Sequence, residues 1–166
     1  MKLSGSRLFA CALLAGAALC LTPALCLIPS TAAAAPAATC TPAQQLAGAE
    51  TYVAALADPS FAYEVPVATD VVRFENGVQT GFSGDVMKAE LAAHLQYGGI
   101  TAINNQQWTG AGNLVRAVYD LEYGVGDVNI ADSTIDETFA FNPACDIQRI
   151  DATFSVRPGS AVTGGN

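Results

Sequence analysis

NLVRAVYDLEY, residues 113–123, alternates with period two: Asn113, Val115, Ala117, Tyr119, Leu121 and Tyr123 fall on one side, and Arg116, Asp120 and Glu122 on the other. A strand with one covered face and one wet face has this pattern. STIDETFAF, residues 133–141, repeats it, with Ile135, Phe139 and Phe141 in phase with Glu137. Residues 146–156 place Ile150, Ala152, Phe154 and Val156 on one side, opposite Arg149 and Asp151. With a further strand at 100–109, the second half of the chain is four consecutive strands. They are separated by Gly110-Ala111-Gly112, by residues 124–132 and by Asn142-Pro143.

Two helices precede them. Thr41-Pro42 supplies an N-cap and a first-turn proline, and Leu46, Tyr52, Val53 and Leu56 mark a helix that ends near Asp58-Pro59. Residues 65–74 are strand-like, and Glu75-Asn76-Gly77-Val78 is a hairpin turn. Ser83 or Asp85 opens a second helix, expected through Tyr97 and closed by Gly98-Gly99, with Met87, Leu91, His94 and Leu95 on one face. The order is α+β: an antiparallel sheet with helices on one face.

Residues 1–37 are expected to be a signal peptide. Lys2 and Arg7 precede an apolar run from Leu8 to Ile28, and an Ala-rich stretch follows with small residues spaced for cleavage. Pro23 and Pro29 interrupt the run, which argues against the alternative, an uncleaved anchor, so no stable membrane anchor is expected after processing. Residues 38–157 form the domain, and the Gly/Ser-rich 158–166 is expected to be a disordered tail. The expected location is outside the cell.

The chain has 166 residues and a formal charge of −8. Without the leader, five basic residues face fifteen acidic ones, a net charge near −10. Nucleic-acid binding is excluded, because phosphate neutralisation needs clustered Lys and Arg. Three of the five cysteines leave with the leader; Cys40 and Cys145 remain and are expected to form one disulfide in an oxidising compartment. With one histidine and no cysteine cluster, neither a metal site nor another cofactor is expected. Gly110-Ala111-Gly112 precedes a strand rather than a helix and is no dinucleotide loop, and Gly81-Phe82-Ser83-Gly84 is no nucleophile elbow.

The element order and lengths from Cys40 to about Arg157 resemble the nuclear-transport-factor-2-like superfamily. That group includes ketosteroid isomerase, scytalone dehydratase and SnoaL-like polyketide cyclases. The resemblance implies a curved antiparallel sheet wrapped around N-terminal helices, a cystatin-like cone with an apolar pocket. Cys40, Tyr52-Val53-Ala54-Ala55-Leu56, Arg73-Phe74-Glu75-Asn76-Gly77 and the stretch 81–84 are similar to a narrower family of secreted fungal and bacterial proteins, a likeness that carries no activity with it. Beside ketosteroid isomerase, Tyr52 falls near that enzyme's helix tyrosine, Glu75 near its base and Glu137 near its protonated acid, with Glu in place of Asp at both acidic positions.

Glu137 is the most informative residue, since it sits in the apolar phase of its strand, where an ionised carboxylate is costly. Burial would raise its pKa and make it a proton donor. For Glu75 two expectations conflict: the resemblance turns it inward, whereas Val72 and Phe74 place Arg73 and Glu75 on the outer side, the reading the residues favour. His94 is an acid/base candidate whose commoner role is packed and hydrogen-bonded. Tyr52, Trp108, Tyr119 and Tyr123 offer rings with polar tips for a pocket, with Tyr119 and Tyr123 foremost. The outer face, with Arg116, Asp120 and Glu122, is expected to carry ion pairs or a homodimer surface. The functions in view are a secreted domain binding a small apolar or partly polar molecule, an isomerase-, cyclase- or dehydratase-type enzyme using pocket carboxylates, and a non-catalytic dimeric interaction module.

Overall fold

The structure, a computed structural model, describes residues 39–160. The expected leader and residues 161–166 of the expected tail lie outside that range. Helix α1 (Pro42–Ala57) starts at a capping box. Thr41 Oγ1 accepts from the Gln44 backbone N–H at 3.3 Å, and Gln44 Oε1 accepts from the Thr41 backbone N–H at 3.0 Å. Asp58 ends the helix in extended geometry before Pro59, and a single 3-10 turn (Pro59–Phe61) leads on. Then come β1 (Val67–Glu75), β2 (Val78–Gly81), α2 (Gly84–Ala93), β3 (Ile100–Ala111), β4 (Leu114–Val125), β5 (Val128–Phe141) and β6 (Ile147–Pro158).

The six strands form one sheet in the order β2-β1-β6-β5-β4-β3. Neighbours are antiparallel except β1 and β6, which run parallel. The expectation of an antiparallel sheet thus gives way to a mixed one at that pair. The β1–β2 hairpin docks onto the last strand from far away in sequence, so no tight turn imposes the antiparallel direction. Register shifts in β1, β3, β4 and β5 mark where the sheet bends.

The apolar phases of β4 and β5 meet α1, and α2 packs on β1. Tyr52, Val53, Leu56, Met87, Leu91, Val115, Tyr119, Phe139, Ile147 and Ile150 form one core. Tyr52 and Phe139 meet edge to face, 5.3 Å between centroids. Gly48 lets α1 approach closely: a Cβ there would stand 2.8 Å from Pro66 Cγ and 3.1 Å from the Phe141 ring. The Cys40–Cys145 disulfide is present, joining the residue before the α1 cap to the β5–β6 turn.

Helix α2 is shorter than expected. It ends at Ala93, and His94 takes the left-handed conformation (φ 53°) as the C-cap, its backbone N–H bonding Glu90 and Leu91 carbonyls. The ring holds that turn in place, its Nε2 lying 3.0 Å from Leu56 O. Residues 95–99 therefore form a turn instead of a last helical coil. At the other end of the chain β6 runs through Pro158, and the Gly159 N–H bonds Ile130 O.

Candidate functional site

The inward phases of β4, β5 and β6 converge where the helices leave the sheet uncovered. There a cavity of about 340 Å³ opens, walled by Tyr52 and Leu56 of α1, Tyr97 and Ile100, Tyr119 and Leu121, Ile135 and Glu137, and Ala152 and Phe154. Glu137 lies on its floor, 3% exposed. Its cross-strand neighbours are Ala117 on β4 and Ala152 on β6. Ala117 packs in the core, whereas the small Ala152 side chain lines the cavity and leaves space that a larger residue would fill.

The Tyr119 hydroxyl donates to Glu137 Oε2 at 2.9 Å. Burial pushes the Glu137 carboxyl up to about 7; the Tyr119 hydrogen bond and the Arg73 charge pull it down and offset only part of that, while Glu75 adds to the rise. Burial, reinforced by Glu137, holds the Tyr52 and Tyr119 phenols well above their ordinary range. The floor thus presents neutral hydroxyl groups and a carboxyl that gains or loses its proton near neutrality. That is the property a general acid needs.

Arg73 corrects the sequence reading of β1. It is 2% exposed and faces inward, in phase with Val71 and Glu75, whereas Phe74 is on the other side with the Arg149 guanidinium 4.3 Å above its ring. Valines 71 and 72 and Phe74 cover both faces of β1, so apolar phase alone does not tell its sides apart. Every nitrogen of the Arg73 guanidinium has a partner. Nε donates to Thr80 Oγ1 at 3.1 Å and stands 3.4 Å from Glu75 Oε1. Nη1 donates to the Tyr97 hydroxyl at 2.7 Å and to Tyr52 at 3.4 Å, and Nη2 stands 3.6 Å from Glu90 Oε2. Burial works against the charge, and the surrounding hydroxyls and Glu75 outweigh it, so the guanidinium is held charged.

The residues expected at the site divide accordingly. Tyr52, Tyr119, Glu137, Glu75 and Tyr123 all line the cavity, with Tyr123 at its mouth. Glu75 is turned inward by the β1 phase just described, against the outward reading. His94 is outside the lining, its ring committed to Leu56 O. Trp108 belongs to a separate cavity of about 290 Å³, shared with Pro42, Leu46 and Val115, because α1 begins over that part of β3. Sequence reasoning missed Arg73 and Tyr97. The available signal was a single arginine inside an apolar strand. Tyr97 was hidden by the assumption that α2 continued through it.

On the outer face Arg116 and Asp136 form a two-point ion pair at 2.7 and 2.6 Å, and Arg149 pairs with Asp151. Asp120 accepts from Asn105 and Thr134, and Glu122 from Asn104. Among the described residues no group of three His, Cys, Asp or Glu side chains is placed to hold a metal ion, and no helix is long and apolar enough to cross a membrane.

Solved structures share this architecture. A SnoaL-like family protein from Agrobacterium tumefaciens is 21% identical, covering 68% of this chain and 98% of its own, with a TM-score of 0.52. An LEH-like epoxide hydrolase from M. tuberculosis is 14% identical, covering 68% and 84%, with a TM-score of 0.56. An NTF2-like protein of unknown function from Cytophaga hutchinsonii is 10% identical, covering 67% and 89%, with a TM-score of 0.51. At these identities the likeness is one of fold: the domain is an α+β cone of the NTF2-like, SnoaL-like type. No curated protein matches the sequence. A family model described as a domain of unknown function, DUF8021, matches residues 39–154, nearly the whole cone, and the chain belongs to that family.

Proposed function

We propose that the domain is an exported small-molecule-binding protein. Its ligand lies in the cavity with an apolar body against Leu56, Ile100, Leu121 and Ile135 and a polar group toward the floor. The observation that carries this reading is Glu137, buried among apolar neighbours beside an open cavity and bonded to Tyr119. A carboxyl serving structure alone would be enclosed by side chains; here its cross-strand neighbour Ala152 lines the open space beside it. The leader-like segment 1–37 and the Cys40–Cys145 bond support export. The test is native mass spectrometry of protein recovered from the medium. A retained small molecule, lost on Glu137→Leu, is the expected result. An empty protein that no apolar oxygen-bearing probe stabilises against heat would sink the reading.

A second reading is favoured by one observation: Glu75 and Glu137 line the same cavity. Two carboxyl groups at one site suit acid/base chemistry of the isomerase, cyclase or dehydratase kind, with Glu137 as the acid and Glu75 as the base. Turnover of the retained molecule, with separate losses in Glu137→Gln and Glu75→Gln, distinguishes enzyme from binder. The dimeric-module reading draws on the outer sheet face, whose Arg116–Asp136 and Arg149–Asp151 pairs are satisfied within one chain. Light scattering on the purified domain tests it.

A further inference from the structure

The geometry points to Tyr97, held in place by Arg73, as the group that recognises an acceptor oxygen on the ligand, a carbonyl being the simplest form. This inference rests on the small-molecule reading and names the chemistry of that ligand. A guanidinium has five N–H donors and no acceptor, so a phenol facing it receives a hydrogen bond and keeps its own proton for something else. Arg73 Nη1 donates to Tyr97 at 2.7 Å and to Tyr52 at 3.4 Å, and both rings line the cavity. Among the described residues the hydrogen bonds found at these hydroxyls are ones they accept, from Arg73 to both; the neighbouring Gln96 side chain also acts on Tyr97 as a donor does, lowering its pKa. Burial keeps the Tyr97 phenol protonated, although Arg73 opposes that effect. A phenol that accepts from a cation is also a better donor, because the bonds polarise one another.

The surrounding structure fixes this donor. Arg73 is tied to β2 through Thr80, to its own strand through Glu75 and to α2 through Glu90. Tyr97 stands on the turn that His94 caps, and the Tyr97 carbonyl accepts from the Ile100 N–H as β3 begins. The phenol is therefore held at both ends, by its backbone and by its hydroxyl. With Tyr52 beside it, the wall offers two directed hydroxyl donors. A ligand oxygen that only accepts matches them, whereas a bare hydrocarbon leaves them unpaired in a dry site. Arg73 acts through Tyr97, as a positioning residue.

The test titrates the intact exported protein with 1-tetralone and with tetralin, the same bicycle without the oxygen, by calorimetry. The carbonyl stretch of bound 1-tetralone is followed by infrared difference spectroscopy. Wild type is expected to bind the ketone about five- to tenfold more tightly than the hydrocarbon, the worth of one good hydrogen bond, with the stretch shifted to lower frequency. Tyr97→Phe should narrow the gap between the two affinities and reduce the shift, and the double variant Tyr52→Phe/Tyr97→Phe should bring the affinities together and abolish the shift. Arg73→Lys, which keeps a charge but not the fork, should retain tetralin binding and reduce the shift. Equal affinities in wild type, or an unchanged shift in Tyr97→Phe, overturn the inference and leave the cavity as a binding site. Failure of both probes to bind overturns it together with the small-molecule reading.

Discussion

Glu137 reverses the usual contribution of a carboxylate to stability. Its pKa in the folded protein lies at about 7, above the ordinary 4.5 of the unfolded chain. The folded state therefore holds a proton that the unfolded state has already released. The Glu137 contribution to stability is fully present below about pH 4.5 and is lost as the pH rises through about 7. The difference between the two pKa values corresponds to roughly 3 kcal/mol. Asp58, Asp120 and Asp136 have the opposite sign: hydrogen bonds lower their pKa, and the stability they add is lost only as the pH falls below the ordinary aspartate range. The two windows do not overlap. Urea titrations of wild type and Glu137→Gln between pH 5 and 8 should diverge, wild type weakening and the neutral variant holding steady. Parallel curves would mean that the carboxyl is better solvated than its burial implies. This residue was legible in the sequence because STIDETFAF alternates and Glu137 is the one charged residue in its inward phase. Arg73 was not, because its strand is apolar on both faces and a charged residue is ordinarily read as exposed. What reversed that assignment is a set of partners: beside Glu75 on the same strand, Tyr52 of α1, Thr80 of β2, Glu90 of α2 and Tyr97 of the turn before β3, which the pattern of β1 does not show.

At the level of elements, Asn76 shows how a turn acquires a second task. Asn-Gly predicts a tight turn, and both residues take positive φ, 47° at Asn76 and 82° at Gly77. The Asn76 side chain also extends the β1–β6 pairing: its Nδ2 donates to Phe154 O at 3.2 Å and its Oδ1 accepts from the Phe154 N–H at 2.9 Å. The Asn76 N–H adds a bond to Ala152 O at 2.8 Å. One residue thus closes the hairpin and docks it to the last strand, beside the cavity wall at Ala152 and Phe154. Asn76→Gly keeps the backbone conformation and loses the two side-chain bonds. Asn76→Ala loses those bonds and adds left-handed strain, so it should cost about 1–2 kcal/mol more than the glycine variant. Chemical denaturation measures both, and equal costs would place the whole effect in the side-chain bonds. The hairpin was legible because its turn chemistry is local. The parallel partner was not, because β6 is reached only after four intervening elements. The early end of α2 was hidden in a similar way, since the Leu56 carbonyl that holds the His94 ring comes from α1.

For the whole molecule, the central problem is that a cone must stay open at one end without unravelling. The core that closes the other end contains Val53, Val115, Phe139, Phe141, Ile147 and Ile150. The disulfide ties Cys40, just before α1, to Cys145 in the turn between β5 and β6, 105 positions along the chain. Both sulfur positions are at the start or end of elements that contribute to the cavity, and neither cysteine lines it. The bond therefore confines the unfolded chain without touching the site. Replacing both cysteines with serine should cost about 2–4 kcal/mol, the usual range for a bond closing a long loop. Because the cost falls mainly on the unfolded ensemble, the native cavity should keep its ligand preference, and the affinity ratio of 1-tetralone to tetralin should be the same in the variant at low temperature. Guanidinium unfolding of wild type with and without reductant, beside the double variant, measures the stability, and calorimetry measures the ratio. Reduced wild type and the double variant should unfold at the same midpoint, below oxidised wild type. A preserved midpoint would show that α1 is held by packing through Gly48, Tyr52 and Val53 alone. A changed ratio would show that the bond also sets the position of α1, and with it the Tyr52 hydroxyl at the cavity wall.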